Sequence, residues 1–134
     1  MALNIGQIGE NMTLGQARMF FAGSGVKLAA QCHPSVSDKS DGIWHCGRYA
    51  TVVAYKSNGE GSYPDDLSEE MFIKQLCQHV VGMGPTHVDN PEDKENSLLH
   101  QTFLLDEDKK VGEILSEAGV TVIDFVRSEV GRSE

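Results

Sequence analysis

The sequence predicts a two-layer α+β domain: a three-stranded antiparallel sheet packed against helices, in the order β-β-α-α-β. Three observations lead there. Residues 48–56 (Arg-Tyr-Ala-Thr-Val-Val-Ala-Tyr-Lys) have the β-branched and aromatic content of a half-buried strand. Residues 68–83 repeat Phe72, Leu76 and Val80 at helical spacing, with Ile73 and Cys77 beside them. Residues 120–130 alternate as a closing strand, with Val120, Val122, Asp124, Val126 and Ser128 on one face.

The remaining elements follow in order. Residues 3–9 space Leu3, Ile5 and Ile8 like the end of a helix, although Gly6 and Gly9 weaken it. So abrupt a beginning suggests a fragment of a larger protein. Residues 12–21, ending in Met19-Phe20-Phe21-Ala22, are expected as a strand, although alternation groups Gln16 and Arg18 with Met12, Leu14 and Phe20. Gly23-Ser24-Gly25 bends the chain, and residues 26–31 run extended again until His33-Pro34 ends the ladder. Residues 35–42 and 58–66 are polar loops.

Ser68 is the expected N-cap of the long helix, with Glu69 and Glu70 in its first turn and Gly82 and Gly84 as its stop. Residues 86–110 are mostly polar, and the islands Leu98-Leu99 and Phe103-Leu104-Leu105 are expected to pin them to the core. Residues 111–118 form a short helix with Val111, Ile114 and Leu115 on one face and Gly119 as a left-handed stop.

With 134 residues and 40% apolar content, the chain has enough material for one core and no room for a second full domain. Three cysteines at irregular positions argue against a secreted disulfide scaffold and for reduced thiols. No apolar run reaches the ~18 residues of a membrane span. The first residues lack the pattern of a signal or transit peptide. The net charge of -9 speaks against nucleic acid as the main partner and for a monomer. The charge is uneven: residues 1–56 carry five bases against three acids, and residues 57–134 carry six against 17. That acidic half reads as a solvated face, or as one that steers a basic partner.

Chemistry is sparse. Cys32-His33 and His45-Cys46 mirror each other across 11 residues, and together would offer zinc two thiolates and two imidazoles. Adjacent strand residues point to opposite faces, however, and paired ligands normally stand two to four residues apart, so no metal is expected. Cys77 lies on an apolar helical stripe and reads as a small core residue. Asp106-Glu107-Asp108 reads as a solvated turn. Trp44, an aromatic in a polar loop, is either folded back on the core or shown to a partner. No phosphate loop or nucleophile elbow is present, so neither enzymatic catalysis nor a cofactor is expected.

Several strings carry a family resemblance. Ile8-Gly9-Glu10-Asn11-Met12 resembles the Ile-Gly-Glu-Asn motif of translation elongation factor Ts. Phe125-Val126-Arg127-Ser128-Glu129-Val130-Gly131 resembles that family's closing Phe-Val-Arg-Phe-Glu-Val-Gly-Glu-Gly. Arg48-Tyr49-Ala50-Thr51-Val52-Val53 is similar to its second sheet strand, and Gln78-His79-Val80-Val81-Gly82-Met83 to its helix in the mitochondrial form. Phe103-Leu104-Leu105-Asp106, Val111-Gly112-Glu113 and Val122-Ile123-Asp124-Phe125 continue in the same order. The resemblance runs from Leu3 to Gly131, and any one string alone would be weak.

The resemblance implies that residues 1–134 are the family's second core subdomain, without its long helical hairpin. It implies a C-terminal piece of a guanine-nucleotide exchange factor of the mitochondrial matrix, its transit peptide outside this sequence. Such a factor acts by protein binding and not as an enzyme. The implied partner is elongation factor Tu, gripped on its third, β-barrel domain. The implied contact is a histidine at the tip of the first strand, matched by His33, with Cys32, Pro34 and Trp44 around it. Cys32 and Pro34 depart from the aromatic or apolar residue and the glycine common there, and Ser128 and Arg132 depart from a Phe and a Glu. The alternatives are a small metal- or thiol-dependent domain built on Cys32, His33, His45 and Cys46, or an interaction domain that has lost Tu binding.

Overall fold

A computed structural model describes residues 14–34 and 46–131. Its central sheet is β1 (Lys27–His33), β2 (Tyr49–Ser57) and the last strand, β5 (Val120–Glu129), in the order β1-β2-β5 with β2 in the middle. Both pairings are antiparallel. Between β2 and β5 come α1 (Glu69–Met83), the hairpin β3 (Thr102–Phe103) and β4 (Asp106–Lys110), and α2 (Val111–Ala118). The α+β expectation therefore holds, with the small hairpin added. No helix among the described residues is long and apolar enough to cross a membrane.

The helix ends follow their local chemistry. Ser68 accepts a hydrogen bond from the Met71 N–H at 3.3 Å, and Glu69 and Glu70 occupy the first turn of α1. Gly82 lies inside α1, and the stop is Gly84, left-handed at φ 59° and donating its N–H to Val80 O. In α2, Glu113 reaches back to accept from the Lys110 N–H at 2.9 Å, and Gly119 closes the other end at φ 67°.

One face of the sheet carries the core. Val53 and Tyr55 of β2 and Val120 and Val122 of β5 pack with Phe72, Ile73, Leu76, Cys77 and Val80 of α1 and Val111, Ile114, Leu115 and Ala118 of α2. Leu98 and Phe103 enter the same cluster, so the first apolar island and the head of the second do pin residues 86–110. Leu104 and Leu105 do not; they stand exposed at the hairpin turn. Asp106-Glu107-Asp108 belongs to strand β4, not to a turn before a helix.

Two expectations are corrected. Residues 14–22 form no strand. One alternating face carries Gln16 and Arg18, and on the other Met19 and Phe21 remain exposed, so the segment buries too little to be held as a strand. The alternation of β5 also breaks partway. Ala54 pairs with Asp124 but Tyr55 pairs with Val122, which leaves Ile123 as the extra residue of a bulge. Beyond it the inward positions become Phe125, packed against the core, and Arg127, whose Nε donates to Val81 O of α1 at 3.2 Å. Asp124, Val126 and Ser128 consequently do not share a face with Val120 and Val122.

Candidate functional site: the strand-end tip

The tip is the end of the sheet where β1 stops and β2 and β5 meet it. The ladder brings His33 opposite Tyr49, and Tyr49 opposite Glu129. His33 and Pro34 are exposed, joined by a cis peptide bond, and Cys32 is half-buried one residue behind. Trp44 and His45 lie outside the described residues, so their expected place beside His33 is not described. Cys46 and Gly47 return the chain to β2: a methyl group built on Gly47 would stand 2.8 Å from Pro34 O and 2.9 Å from His33 N. Only glycine lets the returning chain approach this closely.

The tip is braced by cations over an aromatic ring. The Arg127 and Arg48 guanidinium carbons lie 5.2 and 5.8 Å from the centre of the Tyr49 ring. Arg48 also approaches Glu129 at 3.8 Å, and its carbonyl accepts from the Val130 N–H at 2.9 Å. Arg127 additionally places its charge at the C-terminal end of α1, where the helix dipole favours a cation. On the outer face of the sheet, an open groove of about 750 Å³ is lined by Arg18, Phe20, Arg48, Val52, Val126 and Ser128. Ser128 thus lies on the face opposite Phe125.

Burial raises the Cys32 thiol above its ordinary value, and the neighbouring Cys46 adds to the effect. Among the described residues no group of three or more His, Cys, Asp or Glu side chains could hold a metal. The arrangement presents an exposed imidazole on a fixed strand end, which suits contact with another molecule.

The sequence reading missed a second histidine. His79 is fully buried on α1. Its Nδ1 accepts from the Leu104 N–H at 3.1 Å, so Nε2 carries the proton and donates to Gln101 Oε1 at 2.9 Å. Gln101 Nε2 in turn donates to Glu95 O at 2.9 Å. Burial pushes the His79 pKa down, opposed by the Gln101 bond. The signal was present: His79 falls seven residues after Phe72 and three after Leu76, on the same stripe.

The architecture is a small α+β sheet domain with a braced, exposed strand end. A family model described as elongation factor TS matches residues 90–132. Curated relatives extend the likeness along nearly the whole chain. Mitochondrial elongation factor Ts of Drosophila melanogaster is 40% identical over 98% of the chain and 42% of its own length. The Homo sapiens protein of the same name is 32% identical over 100% of the chain and 41% of its length. That of Caenorhabditis elegans is 30% identical over 98% and 48%. Along nearly its whole length the chain is similar to these elongation factors Ts. It spans less than half the length of these relatives.

Proposed function

We propose that the chain is the second core subdomain of a mitochondrial elongation factor Ts, gripping the third, β-barrel domain of elongation factor Tu within a factor that as a whole promotes GDP release. The observation that carries this reading is the similarity to curated mitochondrial elongation factors Ts along 98–100% of the chain. The exposed His33 at a braced strand end supports the contact. The relatives' names support a place in the mitochondrial matrix.

The mechanism is differential binding. An exchange factor lowers nucleotide affinity only as far as it prefers the partner's nucleotide-free conformation. The resemblance assigns the element that pushes into the nucleotide-binding domain to the other core subdomain. Residues 1–134 then supply grip and little preference, and a ligand that binds both states equally shifts neither.

The test is capture of the chain on immobilised elongation factor Tu, alongside stopped-flow release of fluorescent GDP. The expected result is weak, saturable binding with release scarcely faster than the spontaneous rate. Absence of binding at high micromolar concentration would overturn the reading. Release as fast as with an intact factor would relocate the exchange activity to these residues.

A further inference from the structure

The function proposed above leaves unused the two thiols at the strand-end tip, Cys32 and Cys46. Cys32 lies opposite Ala50 on the outer side of β1, since Ala29, at odd spacing from it, packs against the core. Gly47 sits directly against it: a methyl group there would be 3.0 Å from Cys32 Cβ. Cys46 is the next residue and is exposed, while Cys32 is half-buried. The charge of a Cys46 thiolate is felt at Cys32, which agrees with their closeness. The third cysteine, Cys77, is 1% exposed in the core beneath the opposite face of the sheet, its pKa pushed up to about 12 by burial. It is shut off from oxidants and from both other thiols.

We propose that Cys32 and Cys46 form a redox-active pair that closes as a disulfide between the end of β1 and the residues that lead into β2. The division of roles follows from exposure. A peroxide is the oxidant class that reaches such a site. The Cys46 thiolate attacks a peroxide oxygen; the S–O bond forms, the O–O bond breaks, and the departing hydroxide takes up a proton. Cys32 then attacks the Cys46 sulfur; the S–S bond forms, the S–O bond breaks, and a second water leaves. In sum two thiols and one hydrogen peroxide give one disulfide and two waters. Closure ties the last residue before His33 to the residues that lead into β2. An effect of closure on partner binding rests on the function proposed above; the bond itself does not.

The test treats the intact chain with stoichiometric hydrogen peroxide. Thiols are then titrated after unfolding, and peptides are mapped without reduction. The expected result is loss of two of the three thiols, a chain that stays monomeric, and a Cys32 peptide linked to a Cys46 peptide. Cys32→Ser and Cys46→Ser should each abolish the link, and Cys77→Ala should retain it. Survival of all three thiols, a link that includes Cys77, a link between chains, or oxidation of Cys46 that stops short of a bridge would each overturn the proposal. The readout involves no elongation factor Tu, so failure of the exchange-factor reading and failure of the disulfide are told apart.

Discussion

The Nε2–H of His79 and the Oε1 of Gln101 meet at 2.9 Å inside the core, and this bond joins α1 to the segment leading into β3. With Nδ1 accepting from the Leu104 N–H, both ring nitrogens are committed and the ring is held neutral. It also lies against Phe103, with ring centres 5.6 Å apart. One histidine thus anchors the whole β3–β4 hairpin to the helix.

A depressed histidine pKa makes the fold sensitive to acid. The unfolded chain binds a proton at this side chain near pH 6.5, whereas the folded chain resists it to lower pH. The stability from neutral His79 is therefore fully present above about pH 6.5 and declines as pH falls toward the folded pKa. Urea midpoints from pH 7.5 down to 5.5 should show this decline. His79→Gln should flatten that part of the profile, and at neutral pH should cost about 1–3 kcal/mol through unmatched buried partners. An unchanged slope in the variant would exclude His79 as the cause.

Arg127→Met should destabilise the domain by about 1–2 kcal/mol, because it removes the bond to Val81 O and the cation over Tyr49 while keeping an apolar stem. Denaturant unfolding measures it. Equal stability would mean that the α1 terminus and the Tyr49 ring are satisfied without this side chain.

Gly61→Ala should cost about 2 kcal/mol or more, in the manner of an overpacked core. A methyl group there would overlap the Ala118 carbonyl and the Gly119 nitrogen, at the point where the Ser62 N–H donates to Glu117 O at 3.0 Å. Gly23→Ala, which meets nothing within 4 Å, should be nearly neutral. Thermal unfolding of the two variants side by side gives the comparison.

On the proposed function, His33→Ala should lower affinity for elongation factor Tu by about 1–2 kcal/mol, the scale of an ordinary interface anchor. Because His33 is exposed, the same change should leave the melting temperature nearly unmoved. A variant that loses stability but keeps its affinity would place the histidine in a packing role.

Where local chemistry decides structure, the sequence was readable. Ser68, Gly84 and Gly119 bound their helices as their residue types require, and the Phe72–Val80 stripe is buried as its spacing demands. What escaped the reading depends on partners distant in sequence. His79 is legible as a position on the stripe, but its burial rests on Gln101 and Leu104, more than 20 residues away. The apolar ending at Met19, Phe20 and Phe21 looks like a strand, yet a strand requires a neighbour, and among the described residues none pairs with it. The tip was reached through resemblance, since nothing in the spacing around His33 marks it. The approach of Cys32 to Cys46 follows from the ladder bringing residue 32 opposite residue 50.

The extra residue at Ile123 gives β5 two separately adjustable halves. Upstream, Val120 and Val122 are locked into the core; downstream, Arg127 and Glu129 belong to the end that carries His33. A bulge adds local twist and bend without disturbing which side chains point inward on either side of it. Omitting Ile123 would leave Val122, Phe125 and Arg127 still facing the helix, in a ladder made regular. The fold would survive while the tip turned to a new heading. Variation in chain length at this one position would therefore re-aim this end of the sheet with little penalty in folding.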